Sequence, residues 1–123
     1  GDVYKRQVLK NQGQVLQIIN RKLDELHKKF DEADGEEASE ISGQEIAIIR
    51  IAGYIRHAIE DHGYFGHDYL GVKDMVCVYE YVADAKEKFR EYSNPRDTWF
   101  MKGLAEGAAW ALQEIEERME EEP

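Results

Sequence analysis

The chain has 123 residues, a formal charge of −10 and one cysteine. That length supports one domain with one core and no disulfide, and the lone thiol suits a reducing, cytoplasmic setting such as a bacterial host cell. The acid excess excludes nucleic-acid binding by the bulk of the surface, since phosphates need bases, and no apolar run approaches the ~20 residues of a membrane span.

The charge is unevenly spread. Residues 1–30 hold seven bases and three acids, and the remainder holds nine bases and 23 acids. A basic protein is the natural counterpart of such a surface. The opening GDVYKRQ lacks an initiator Met and resembles translated adapter sequence from assemblies of environmental DNA. That resemblance implies non-native residues 1–7 and an uncultured microbial or phage source; Gly1 equally fits a scar of tag removal.

The spacing predicts four helices over about 3–30, 43–62, 72–92 and 95–120, an all-α, four-helix-bundle-like domain. In the first, Leu9, Gln12, Leu16, Ile19, Leu23, Leu26 and Phe30 follow a 3-4 alternation, a heptad seam with one polar member. So narrow a stripe asks for a partner helix, in the same chain or in a second copy, and its length favours a homodimer. Residues 31–40, DEADGEEASE, then read as a solvated connector with six acids and no base.

Ser42, followed three residues later by Glu45, forms a capping-box signature, with Ile41 and Ile46 placed as a hydrophobic staple. The next run, IAIIRIAGYIRHAI, is apolar on nearly every side and predicts a central helix stopped at Gly63. Residues 61–71, DHGYFGHDYLG, read as an aromatic-rich loop, in which Tyr64, Phe65 and Tyr69 are candidate contacts.

The third helix carries Met75, Tyr79, Val82, Lys86 and Phe89 on one stripe, with Val72 and Val76 beside it. Its MVCVYEYV is strand-like in composition, but the helical pattern continues through ADAKEKFREY. Cys77, inside this apolar run, reads as a core residue. In the fourth helix Asn94 is the expected cap, with Pro95 at the first position and Asp97 in the first turn. Met101, Leu104, Ala108, Ala111, Ile115 and Met119 form the expected buried stripe. Gly103 and Gly107 cost ~1 kcal/mol each against Ala in a helix interior, which points to a close crossing where no side chain fits. The acidic end should fray against the helix dipole.

The most enzyme-like grouping is His57, His62, His67 and Asp68, imidazoles and a carboxylate suited to zinc, manganese or iron. A spacing of five puts His57 and His62 about 140° apart on a helix, a poor arrangement for one ion. His67-Asp68 resembles the dipeptide of HD-domain phosphohydrolases, which are all-helical and metal-dependent. His27 and Asp84 are the nominal partners, though nothing around them matches. Glu37-x-x-Glu40 resembles the first acidic motif of MazG-type pyrophosphatases, but no E-x-x-D follows. No G-x-S-x-G, P-loop or Rossmann glycine pattern occurs.

Size, charge and helicity resemble those of small acidic phage-encoded inhibitors of the anti-CRISPR kind, a resemblance of character with no motif matched. It implies a cofactor-free, non-catalytic module that imitates nucleic acid and occupies a basic site on a CRISPR nuclease. The partner-binding residues would be Asp31, Glu32, Asp34, Glu36, Glu37 and Glu40, with the C-terminal acids as a second patch. A metal-dependent hydrolase built on His57–Asp68 and a dimerising adaptor are the alternative readings.

Overall fold

The computed structural model describes residues 7–65, 69–91 and 95–121. Its elements in chain order are β1 (Gln7–Leu9), α1 (Gln12–Glu32), α2 (Gly35–Phe65), β2 (Leu70–Gly71), a 3-10 turn (Val72–Met75), α3 (Val76–Glu91), α4 (Pro95–Glu116) and β3 (Met119–Glu121). Among the described residues the fold is therefore all-α in its mass, a bundle-like set of four helices with a small sheet at one place. None of these helices is long and apolar enough to cross a membrane.

The sheet is the first departure from the sequence pattern. β1 is central and antiparallel to both neighbours, pairing Leu9 with Leu70 on one side and with Met119 on the other. Val8 and Leu9 point to opposite faces of the strand, yet both are buried, so the strand is covered on both sides. Leu9 thus belongs to the sheet and not to a helical seam, and α1 begins at Gln12. At the other end α4 does not fray. It stops at Glu116, where Arg118 turns back, its guanidinium donating to the Glu114 carbonyl at 2.9 Å and to the Glu114 carboxylate at 2.7 Å. A base at the negative end of the helix dipole closes the helix and redirects the chain into β3.

Along α1 the buried residues are Val15, Ile19 and Leu26, with Leu16 and Leu23 half-buried and Phe30 40% exposed. The buried stripe is displaced by one position from the heptad at its start, and it is shorter, because α1 packs against α2 of the same chain. The turn between these helices is only Ala33 and Asp34, and Gly35 supplies a φ of +57°, where a side chain would be strained.

The expected connector is therefore mostly helix. α2 starts at Gly35, with Glu36 and Glu37 in its first turn, where carboxylates favour the positive end of the dipole. Ser42 lies two turns inside it, so the capping box does not form. Nor does the staple, since Ile41 is buried whereas Ile46 is 45% exposed. At its far end α2 passes through Gly63 and stops at Phe65, so much of the expected aromatic loop is its last turn.

The buried residues Ala47, Ile48, Ile51, Ala52, Ile55 and Ala58 make α2 the centre of the core. Its main partner is α4, and three glycines set their separation. Gly103 lies against the backbone of Glu40, Gly107 against Gln44, and Gly43 against Phe100 and Leu104. Glu40 meets Gly103 and Gln44 meets Gly107, so the two helices run in the same direction where they cross. A methyl group on Gly103 would stand 2.8 Å from the Glu40 carbonyl carbon, and one on Gly107 would stand 2.6 Å from the Gln44 oxygen. The crossing expected from Gly103 and Gly107 is present, with Gly43 its third member.

α3 packs on α4 through a stripe rotated from the expected one. Met75, Val78, Val82 and Ala85 are buried, Tyr79 and Phe89 half-buried, and Val72, Val76 and Lys86 exposed. Cys77 is exposed and is not a core residue, because the helix turns its neighbour Val78 inward instead.

Candidate acidic interface

Asp31 and Glu32 end α1, Asp34 lies in the turn, and Glu36 and Glu37 open α2, so five carboxylates crowd the tip of one helical hairpin. All five are exposed, and none forms an ion pair with another described residue. Of the bases just before them, Lys29 is engaged by Glu25 at 3.4 Å and Lys28 is exposed.

Glu40 stands apart from this group. It is half-buried at the α2–α4 crossing, where Lys102 Nζ lies 3.6 Å from its carboxylate and 3.8 Å from that of Glu106. Gln44 donates to Glu106 at 3.0 Å. Burial pushes the Glu40 carboxyl above its usual range, its hydrogen bond with Glu106 and the charge of Glu106 push the same way, and Lys102 opposes them. Glu40 thus belongs to the crossing, while the other five acids form an outward surface.

The C-terminal acids differ from the tip in the same respect. Glu114 pairs with Arg118 at 2.7 Å, Glu120 with Lys10 at 3.4 Å, and Glu117 accepts from Gln113 at 2.9 Å. Most of that second patch is already engaged by its own chain.

Of the histidine grouping, His57 alone has its side chain among the described residues. His57 is exposed on α2, with Nε2 3.6 Å from the Asp61 carboxylate one turn on. The backbone of His62, Tyr64 and Phe65 lies in the last turn of α2, but their side chains lie outside the described residues, as do His67 and Asp68 entirely. Among the described residues no three His, Cys, Asp or Glu side chains are placed to hold a metal ion. Of the nominal HD partners, His27 is exposed on α1 and Asp84 pairs with Lys88 at 3.1 Å on α3. Glu37 is exposed while Glu40 turns to Lys102, so the E-x-x-E pair does not converge on one site.

Tyr69 is half-buried just before β2. Two concavities went unread in the sequence because each needs more than one helix. One, of about 170 Å³, lies among Lys22, Gln44, Ile48, Glu106, Gly107 and Trp110, with the Lys22 amine 5.5 Å from the Trp110 ring centre. The other lies between α2 and α3. No family model, curated protein or solved structure matches the chain.

Proposed function

We propose that this chain is a non-catalytic interaction module that sets the tip of its α1–α2 hairpin into a basic, nucleic-acid-binding site on a partner protein. One observation carries the reading: Asp31, Glu32, Asp34, Glu36 and Glu37 are exposed at a two-residue turn between two helices and form no ion pair among the described residues. Carboxylates held this way are pre-organised, so a partner gains their charge without first ordering a loop. A CRISPR nuclease is the partner class that such a nucleic-acid imitation fits, with a guide-loaded Cas9-type enzyme the first to try. The protein would act there as a phage-borne inhibitor in the bacterial cytoplasm.

The test is inhibition of target cleavage by that enzyme, with binding followed as salt rises. Affinity should fall steeply, because exposed charges are screened over ~8 Å at physiological ionic strength. Nucleic acid should compete for the site. A variant carrying Asp34→Asn, Glu36→Gln and Glu37→Gln should fold normally and lose most of the binding. A variant that inhibits as strongly as the parent would remove the hairpin tip from the interface.

A further inference from the structure

Where α2 and α3 lie side by side they leave an open groove of about 450 Å³, lined by Tyr54, Cys77, Glu80, Tyr81 and Asp84. The Tyr54 and Tyr81 rings lie 6.1 Å apart with their planes at 64°. That edge arrangement, unlike a stack, makes a corner and leaves ring surface uncovered. Glu80 and Asp84 are exposed one turn apart on α3. Lys88 takes one side of Asp84 at 3.1 Å, whereas Glu80 forms an ion pair with no described residue. Burial pushes the Tyr81 phenol up, and Arg50 on α2 only partly offsets that, so the ring stays neutral.

We propose that this groove binds an organic cation of the alkylammonium or guanidinium class, seated in the Tyr54–Tyr81 corner with Glu80 and Asp84 as its counter-charges. Ring faces attract such cations through their quadrupole, most effectively where water is partly excluded. A bare divalent ion fits poorly, because two carboxylates on one helix lack a third ligand among the described residues. The same chemistry is offered by a free polyamine and by a lysine or arginine side chain of a protein. The proposal stands on this groove alone and is independent of the hairpin tip.

Cys77 supplies the readout, since it is the chain's single cysteine and is exposed in the groove wall. Its rate of modification by a neutral methanethiosulfonate reagent would be measured with no addition and with saturating tetramethylammonium, spermidine or an arginine-rich peptide. Occupancy should slow the reaction several-fold, because the thiol lines the same groove and a bound cation would cover it. Glu80→Gln, on an exposed position, and Tyr54→Leu should each abolish most of that protection. Glu36→Gln with Glu37→Gln, at the distant tip, should leave it intact. Protection by the small amines alone would identify a free amine as the ligand, and protection by the peptide alone a protein side chain. No protection by any of the three, or equal protection in the Glu80 and Tyr54 variants, would overturn the proposal.

Discussion

The α2–α4 crossing makes a prediction whose sign is unusual. In an exposed helix interior, replacing Gly by Ala stabilises by about 1 kcal/mol. At Gly103 the new methyl would instead fall on the Glu40 carbonyl, 2.8 Å from its carbon and 3.0 Å from the Glu40 Cα, and all of these atoms are backbone. Relief requires the helices to separate by roughly 1 Å, a gap that forfeits a quarter to a half of each dispersion contact across it. Ile41, Ala47, Ile48, Leu104 and Ala108 are buried in these two helices. Losing about a third of the ~1.5–3 kcal/mol that each of Ile41, Ile48 and Leu104 contributes amounts to about 1.5–3 kcal/mol. After the gain in helix propensity, Gly103→Ala should still destabilise by about 0.5–2 kcal/mol. Gly53, exposed on the same α2 with nothing within 4 Å of a built methyl, is the internal control. Gly53→Ala should stabilise by about 0.5–1 kcal/mol. Urea unfolding followed by circular dichroism measures both. If Gly103→Ala raises the midpoint as Gly53→Ala does, the glycines do not set the helix separation and the reasoning fails.

Ile19 is fully buried and Leu23 half-buried on α1, so Ile19→Ala should cost ~2–5 kcal/mol and Leu23→Ala clearly less; equal losses in urea unfolding would mean a second surface covers Leu23. The Glu40 carboxyl is raised by burial and by Glu106, so its protonated form contributes stability below the unfolded pKa, and that contribution is lost as pH rises through the folded value. Glu40→Gln should therefore raise the urea midpoint at neutral pH and flatten its pH dependence just above the ordinary carboxylate range; a lowered midpoint would show that the Lys102 pair outweighs the repulsion.

How much of this was legible depends on whether a feature is local or shared between distant segments. Pro95 opens α4 and Asp97 sits in its first turn, as the sequence implies, because a fixed φ and a missing N–H act within one turn. The glycine pair of α4 was legible too, since two costly residues at helical spacing need a packing reason. Gly43 was not, because it stands alone at the expected start of the second helix, where a glycine needs no packing reason. The strands were missed for a related reason. β1 and β3 have three residues each and β2 two, too short for period-2 alternation, and Leu9 also satisfied a heptad position by coincidence. Cys77 was misplaced because MVCVYEYV is apolar almost throughout, so composition could not say which residues face inward.

The same limit governs the candidate sites, and the error at the connector alters what the acids can do. Six acids and a glycine read as a solvated connector because the segment holds no apolar residue larger than Ala. Carboxylates at a helix N-terminus are favourable, however, so acid density and helix formation are compatible from Glu36 onward. Had the segment been a free linker, its charge would be diffuse and binding would carry the cost of ordering it. Held between two helices by a two-residue turn, five carboxylates project from an ordered backbone. The division between a surface available to a partner and one already engaged at home follows from pairing, not from composition. Glu40, Glu114 and Glu120 meet bases of their own chain, while Asp31 to Glu37 meet none among the described residues. A count of acids along the sequence ranks the C-terminus beside the hairpin. Only the folded arrangement separates them, and among the described residues it is the hairpin tip whose carboxylates stay outside any ion pair.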